Sequence, residues 1–142
     1  MQITLPITVI AFETDYGGVV SNTRYIEYIE RGRYALLHAA GLKITDVWAT
    51  HGAQPVVRRV EIDYLAPARH EDELILSVSI AAPSGATTTL HYELTRPIDG
   101  AVIMRAEQTL AYLNTQWKPV RVPLIFREAL NINNHKDTKA QS

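Results

Sequence analysis

Four consecutive segments between residues 56 and 114 constrain the fold of this chain most strongly. They are rich in β-branched and aromatic residues, which is typical of β-strands. They cover residues 56–65, 73–81, 87–96 and 101–114. Turn-forming stretches around Pro67, Pro83-Ser84-Gly85 and Pro97-Ile98-Asp99-Gly100 separate them. Because these connections are short enough for hairpins, the sequence predicts an antiparallel meander.

The first third of the chain has a different pattern. Residues 3–12 are β-branched and apolar apart from Pro6, and they predict a first strand. Residues 23–40 carry apolar or small residues at near 3.6-residue spacing, which predicts one long helix whose first turn is capped by Ser21 or Asn22. The apolar stripe consists of Tyr25, Ile29, Gly32, Leu36 and Ala40. Residues 45–54 stay open between a short strand and an extended connection.

The helix must bury its apolar stripe, and the predicted sheet is the only large partner available. The sequence therefore predicts an α+β fold in which an antiparallel β-sheet surrounds one long α-helix. With 142 residues the chain has the usual size of a single domain. We expect that domain to cover residues 1–130, whereas residues 131–142 are polar and are expected to fray.

Composition excludes several kinds of chemistry. The chain has no cysteine, which removes disulfides, thiolate nucleophiles and cysteine-ligated metals. No two of its five histidines have the spacing of helix-borne metal ligands, although a metal site built from distant residues stays open. The net charge of −1 and scattered cations argue against nucleic acid as a partner. No apolar run is long enough to span a membrane and no secretory signal is recognised, so a cytoplasmic location is expected.

The most distinctive chemical feature is an isolated carboxylate shortly before the predicted helix. Asp15 is followed by Gly17 and Gly18, and the helix begins near Asn22. A helix start presents unpaired N–H groups and the positive end of the helix dipole, so backbone N–H groups near Asn22 are candidates for binding an oxyanion. Asp15 is the candidate nucleophile or general base. The alternative interpretation of Asp15 is an ordinary turn or capping aspartate.

Three blocks of sequence form one pattern along the chain. The blocks are Asp15-Tyr16-Gly17-Gly18-Val19-Val20, then Tyr25 with Glu30-Arg31-Gly32-Arg33, and finally Val60-Glu61-Ile62-Asp63-Tyr64-Leu65-Ala66-Pro67-Ala68-Arg69 with Asp72-Glu73-Leu74. This pattern resembles the hotdog-fold acyl-CoA thioesterases of the 4-hydroxybenzoyl-CoA thioesterase type, including the branch associated with the bacterial Tol-Pal genes. The similarity runs from about Ile7 to Ala129.

The resemblance implies hydrolysis of an acyl-CoA thioester, with the catalytic carboxylate of the family at Asp15. It implies no cofactor, since CoA is part of the substrate. It also implies a homodimer that completes each site, often paired into a homotetramer. Many relatives have Asp in place of Glu13 and Tyr-His or Phe-Tyr in place of Ser21-Asn22. Asn22 can donate a hydrogen bond but cannot act as an acid or base near neutral pH.

Substrate binding is predicted for residues around this motif and for nearby cations. Because CoA carries phosphates, its site needs cationic groups, and solvated surface charge is the alternative interpretation of each one. The predicted substrate-binding set is Gly17, Gly18, Tyr25, Arg58, Arg59 and Arg69. Two other functions stay open, a noncatalytic acyl-CoA-binding module and a hotdog hydratase or dehydratase. The second needs a histidine near the helix, and the helix offers only His38, close to its end.

Overall fold

The computed structural model describes residues 1–81 and 85–130. The elements in chain order are β1 (Gln2–Thr8), a 3₁₀ turn (Ala11–Glu13), α1 (Asn22–Ala39), α2 (Ile44–His51), β2 (Ala53–Tyr64), β3 (Glu73–Ile80), β4 (Thr87–Arg96), β5 (Ala101–Asn114) and β6 (Pro119–Val120). Residues 124–130 are also helical. No helix within the described ranges is long and apolar enough to cross a membrane.

The strands form one antiparallel sheet in the order β1-β3-β4-β5-β2, with β6 paired to β5. The predicted meander is confirmed for β3, β4 and β5. It is wrong for β2, which pairs with β5 rather than with β3. Residues 65–72 instead cross the end of the sheet. An extended chain of that length reaches about 26 Å, well beyond the roughly 14 Å across three strand spacings.

The sequence located most elements well and two of them poorly. The structure gives β4 and β5 the predicted bounds, whereas β1 ends at Thr8 because the chain then turns through the 3₁₀ segment. Most of residues 45–54 form neither a strand nor an extended connection, since α2 covers Ile44–His51 and only the last two residues of the segment belong to β2. Residues 82–84 of one predicted turn and the predicted tail, residues 131–142, lie outside the described residues.

Helix α1 packs its apolar face against the core side of the sheet, where it contacts β1, β3 and β4. Its buried residues are Tyr25, Tyr28, Ile29, Gly32, Leu36 and Leu37. It is the longest described helix, but the described chain also contains α2 and the helical residues 124–130, so it does not have one helix only. On its other side, Glu30 and Arg33 form the ion pair expected from their i, i+3 spacing.

Gly32 lies where α1 approaches the sheet most closely. A Cβ atom at this position would lie 2.8 Å from Val78 Cγ2, 2.9 Å from Leu76 Cδ2 and 3.3 Å from Tyr92 Cε1. All three neighbours are buried core side chains, so none of them can move into solvent. The absence of a side chain at Gly32 therefore sets the distance between the helix and the sheet.

We expect Gly32→Ala to destabilise the protein. Helix propensity alone favours alanine by about 0.5 to 1 kcal/mol, but overpacking a core typically costs about 1 to 3 kcal/mol. The expected net loss is about 1 to 2 kcal/mol in the free energy of unfolding, measured by urea denaturation. Ala35→Gly, in the same helix, is the control for propensity and should also lose stability. A stabilised Gly32→Ala protein would contradict the packing argument.

Candidate active site

Residues 15–20 form a tight backbone turn, the Asp15 turn, between the 3₁₀ segment and α1. The Asp15 N–H donates to the carbonyl oxygen of Val19 at 2.8 Å, and the Asp15 carbonyl accepts from the Gly18 N–H at 3.0 Å. Gly18 has a φ of +76°, a left-handed conformation that disfavours a side chain. The glycine pair thus has the role expected from the sequence, which is to let the chain reverse direction immediately after the carboxylate.

The Asp15 carboxylate is exposed and is oriented by the turn itself. Its Oδ1 accepts a hydrogen bond from the Gly17 N–H at 2.9 Å. The neighbouring Tyr16 side chain is fully exposed and therefore does not cover it. The other carboxylate oxygen has no protein donor in the described ranges. One oxygen of Asp15 is thus positioned by the backbone, and the other is available to a water molecule or a substrate.

The first turn of α1 follows the Asp15 turn directly. Ser21 is the residue before the helix, but its side chain makes no capping hydrogen bond, so the predicted side-chain cap at Ser21 or Asn22 is wrong. The Ser21 N–H donates to the Glu13 carbonyl at 3.1 Å, and the Ser21 carbonyl accepts from the Arg24 N–H at 2.9 Å. The N–H groups of Asn22 and Thr23 have no acceptor in the described part of the chain. They are available at the positive end of the helix dipole.

A cavity of about 270 Å³ opens beside this helix start. Its lining residues are Val19, Val20, Asn22, Tyr25, Tyr64, Leu65, Ala66 and Pro67. Val19 belongs to the Asp15 turn, and Asn22 begins the helix, so the cavity adjoins both. The side-chain hydroxyl of Tyr64 donates to the Asn22 carbonyl at 3.3 Å. The crossing residues 65–67 therefore form a wall of the cavity opposite α1.

Tyr25 lies between the cavity and the core. It is buried, and its ring packs edge-on against Tyr28 at 6.0 Å and against Tyr64 at 5.4 Å between ring centroids. Burial raises the pKa of Tyr25 above its usual value, although a hydrogen bond with the Ala68 backbone partly offsets this effect. The phenol therefore stays neutral near pH 7. Tyr25 contributes a cavity wall with a hydroxyl group, rather than a titrating group.

A buried carboxylate, which the sequence did not single out as part of the site, lies two residues before Asp15. Glu13 Oε1 accepts hydrogen bonds from the Tyr28 hydroxyl at 2.9 Å and from the Ile10 N–H at 3.0 Å. Burial, and then the hydrogen bond to Glu13, raise the pKa of Tyr28 well above its usual range. The only available sequence signal was a tyrosine three residues after Tyr25 on the buried side of the helix, together with a glutamate in an apolar segment.

The three predicted cationic residues lie in different places. Arg69 forms an isolated backbone bridge with Val19, so the chain places it beside the Asp15 turn with an exposed side chain. Arg58 and Arg59 are exposed on β2, where the pairing with β5 is irregular, and Arg59 forms an ion pair with Glu61. They stand five to six residues before Tyr64, about 17 to 20 Å along an extended strand. The structure therefore brings only Arg69 directly to the turn.

The crossing segment is fixed by Arg96 at the end of β4. Its guanidinium donates to the Pro67 carbonyl at 3.0 Å and to Asp72 Oδ2 at 2.9 Å, and it also binds the Asp99 carboxylate at 2.9 to 3.1 Å. Hydrogen bonds from Arg96, and then from the Ala101 N–H, lower the pKa of Asp99. The cavity wall at Pro67 is thus connected to the hairpin between β4 and β5. No group of three or more metal-binding side chains occurs within the described ranges.

We expect Arg96→Met to lower stability in a pH-dependent way. A lowered pKa means that Asp99 contributes stability above its ordinary pKa of 3.8, which is lost as the pH falls through the lowered value. The difference in the free energy of unfolding between wild type and variant should therefore shrink below about pH 4. Urea denaturation from pH 3 to 7 measures it. Arg105→Met, which removes one exposed pair with Glu93, is the control and should have a smaller effect. A difference that does not change with pH would contradict this account.

Comparison with known proteins gives a consistent result. A sequence profile of the Thioesterase-like superfamily matches residues 10–130. The acyl-CoA thioesterase YbgC of Haemophilus influenzae is 27% identical over 129 residues, which cover 90% of this chain and 93% of that protein. The chloroplastic acyl-acyl carrier protein thioesterase ATL3 of Arabidopsis thaliana is 26% identical over 116 residues, covering 82% of this chain. The chain spans about three-fifths of the length of ATL3.

The structural comparison agrees. The crystal structure of a probable thioesterase from Bartonella henselae superimposes with a TM-score of 0.78 at 28% identity, covering 87% of this chain and all of that chain. The antiparallel sheet with few helices matches the hotdog thioesterase fold. Since the superfamily profile covers most of the sequence, and the resemblance drawn from the Asp15 motif points to the same group, the chain belongs to the Thioesterase-like superfamily.

Proposed function

We propose that this protein hydrolyses an acyl-CoA thioester to the free acid and CoA, with Asp15 as the reacting carboxylate. The observation that carries the proposal is the arrangement of the motif. One Asp15 oxygen is oriented by the Gly17 N–H, and the free N–H groups of Asn22 and Thr23 follow at the helix start. A carboxylate near backbone donors is what thioester hydrolysis requires, because negative charge develops on the carbonyl oxygen. Membership of the superfamily supports the same reaction.

Two routes are compatible with this geometry. As a general base, Asp15 takes a proton from water while the water oxygen attacks the thioester carbon, and collapse of the tetrahedral intermediate expels the CoA thiolate, which then gains a proton. As a nucleophile, Asp15 forms a mixed anhydride with loss of the thiolate, and water then hydrolyses the anhydride. In both routes the Asn22 N–H binds the oxyanion, and losing one such donor typically costs about 100- to 1,000-fold in rate.

Residues around the turn are proposed to bind the substrate. Gly17 and Gly18 let the thioester approach the backbone, and Tyr25 lines the adjoining cavity for the acyl group. Arg69 lies beside the turn, where it can contact the pantetheine part of CoA. Arg58 and Arg59 lie farther along β2, at a distance that suits the nucleotide phosphates of CoA. The plant relative ATL3 is named for acyl-acyl carrier protein substrates and the bacterial relative YbgC for acyl-CoA substrates. Only CoA carries nucleotide phosphates, so a role for Arg58 and Arg59 in phosphate binding favours acyl-CoA.

Asp15→Asn provides the direct test. The amide keeps the size of the side chain and an acceptor for the Gly17 N–H, but it can neither remove a proton nor attack a carbonyl effectively. We expect kcat to fall at least about 1,000-fold in a thiol-release assay over short, long and aromatic acyl-CoAs. Asp46→Asn, at an exposed position in the first turn of α2, is the matched control and should retain activity. Wild-type turnover by folded Asp15→Asn would remove Asp15 from the mechanism.

The alternatives make different predictions in the same assay. A noncatalytic acyl-CoA-binding module would bind members of the panel without releasing thiol. A hydratase or dehydratase needs an acid–base residue near the helix start, whereas His38 lies about 24 Å farther along α1. The geometry gives His38 no access to a group bound at Asn22. Thioester hydrolysis therefore remains the better supported function.

We further propose that a homodimer completes the site, with β2 at the interface and the combined sheet wrapping around α1 of each subunit. Strand β2 is an edge of the sheet, and an unpaired edge offers backbone groups to a second chain. Several large apolar side chains near this edge and near the Asp15 turn are exposed. They are Phe12, Tyr16, Val57, Tyr64 and Leu65. Pairing of two such dimers would give the homotetramer expected from the sequence.

Val57→Glu is expected to disrupt this interface. Val57 is 43% exposed and lies on β2, so a glutamate there is tolerated in a monomer but places like charges together at a two-fold contact. We expect sedimentation analysis to show a shift from dimer to monomer, with loss of thioesterase activity. Ile98→Glu, at a 91% exposed turn position between β4 and β5, is the control and should change neither property. Dimeric Val57→Glu with full activity would place the interface elsewhere.

Some expectations from the sequence stay predictions. These are the cytoplasmic location, the absence of a cofactor, the absence of nucleic acid as a partner, and the single domain over residues 1–130. None of them is needed for the proposed reaction, which uses water, one carboxylate and backbone donors.

A further inference from the structure

The geometry points to a positioning role for Glu13 and Tyr28, whose buried hydrogen bond fixes the Asp15 turn relative to the donors at the start of α1. This inference rests on the proposed function, because it assigns Asp15 as the group that must be positioned. Glu13 does not touch the substrate site itself. It acts through the backbone that carries Asp15.

The first observation is the burial of Glu13. Its residue surface is only 7% exposed, which is unusual for a carboxylate, since such groups are almost never buried without partners. Glu13 Oε1 has two partners, the Tyr28 hydroxyl at 2.9 Å and the Ile10 N–H at 3.0 Å. The second contact closes the 3₁₀ turn on itself. The first joins that turn to the body of the helix.

The second observation is that the Glu13 backbone contacts the helix start as well. Its carbonyl oxygen accepts the Ser21 N–H at 3.1 Å, immediately before the free N–H groups of Asn22 and Thr23. A single residue is therefore bonded to the helix region at two places, once at Ser21, immediately before α1, and once at Tyr28 in its second turn. Tyr28 is fully buried, so the inner attachment point belongs to the rigid core.

The third observation is that the Asp15 turn itself is held mainly by backbone hydrogen bonds, such as those from the Asp15 N–H to Val19 and from the Val20 N–H to Ala68, each 2.8 Å long. Phe12, Asp15 and Tyr16 are exposed, and within the described ranges the Asp15 carboxylate accepts a protein hydrogen bond only from Gly17 in the same turn. In the described structure, Glu13 is the buried side chain nearest to Asp15 on its N-terminal side. Catalytic geometry is sensitive to small displacements, and an error of about 1 Å can cost about 100-fold in rate. Loosening the Glu13 contact should therefore affect Asp15.

A matched pair of tyrosine variants separates positioning from general stability. Tyr28→Phe removes the hydroxyl that binds Glu13. Tyr112→Phe removes another buried hydroxyl, which lies 3.1 Å from Thr88 Oγ1 and is remote in sequence from the turn. Both changes delete one buried hydrogen bond and keep the ring. Each protein is assayed for kcat and KM with the acyl-CoA that wild type hydrolyses fastest, and for amide hydrogen exchange at residues 15–20.

Glu13 itself supplies a conservative rescue. Glu13→Gln retains Oε1 as an acceptor for both donors. Glu13→Ala removes both contacts. Glu13→Gln should stay within about threefold of wild-type kcat, while Glu13→Ala should resemble or exceed the loss in Tyr28→Phe.

We expect Tyr28→Phe to lower kcat by about 10- to 100-fold with little change in KM, and to accelerate exchange at residues 15–20. Tyr112→Phe should lose stability without either effect. Equal kcat and equal exchange rates in the two tyrosine variants would overturn the inference. Hydrogen exchange tests whether Glu13 and Tyr28 hold the turn even if Asp15→Asn proves fully active, because exchange reports on the turn without reference to catalysis. Full activity of Asp15→Asn would reject the proposed role of Asp15 but not the structural link between Glu13 and the turn.

Discussion

The close approach of α1 to the sheet at Gly32 is the contact on which the rest of the structure depends. With backbone rather than a side chain at this point, the helix lies against Leu76, Val78 and Tyr92, and its direction over the sheet is fixed. The first turn of the helix then meets the end of the sheet that residues 65–72 cross. A larger residue at position 32 would move the helix outward, and the start of α1 would separate from the cavity wall at Leu65 and Pro67.

Two carboxylates two residues apart have opposite environments, and the fold is the cause. Thr14 is extended, and along a straight extended chain residues two apart lie on the same side of the backbone. Glu13 and Asp15 depart from this regularity because Glu13 ends the 3₁₀ turn and Asp15 begins the next turn. Glu13 faces the helix core and binds Tyr28, whereas Asp15 faces solvent above the turn. Burial makes Glu13 a structural acceptor, and exposure leaves the Asp15 carboxylate accessible to water, as our proposal requires.

The sequence predicted what local patterns determine and failed where distant partners decide. Strands β4 and β5 were bounded correctly because turn residues flank them, and α1 was placed within one residue because its stripe is regular. The pairing of β2 with β5 was missed because a crossing segment looks like a hairpin turn when only its composition is read. The Asp15 turn could be predicted from its glycines. Glu13 could not, because its importance arises from Tyr28, fifteen residues away.

In a single chain, the cavity at the helix start is open to solvent. Electrostatic stabilisation of an oxyanion by backbone N–H groups is strong only where water is excluded. In one subunit, however, Asp15 and Tyr16 are exposed, and Tyr64 is only half-buried. The donors at Asn22 and Thr23 would therefore compete with solvent for the developing charge. A second subunit over the β2 edge would remove that solvent, so in our proposal dimerisation both adds stability and creates the low-dielectric setting that the chemistry needs.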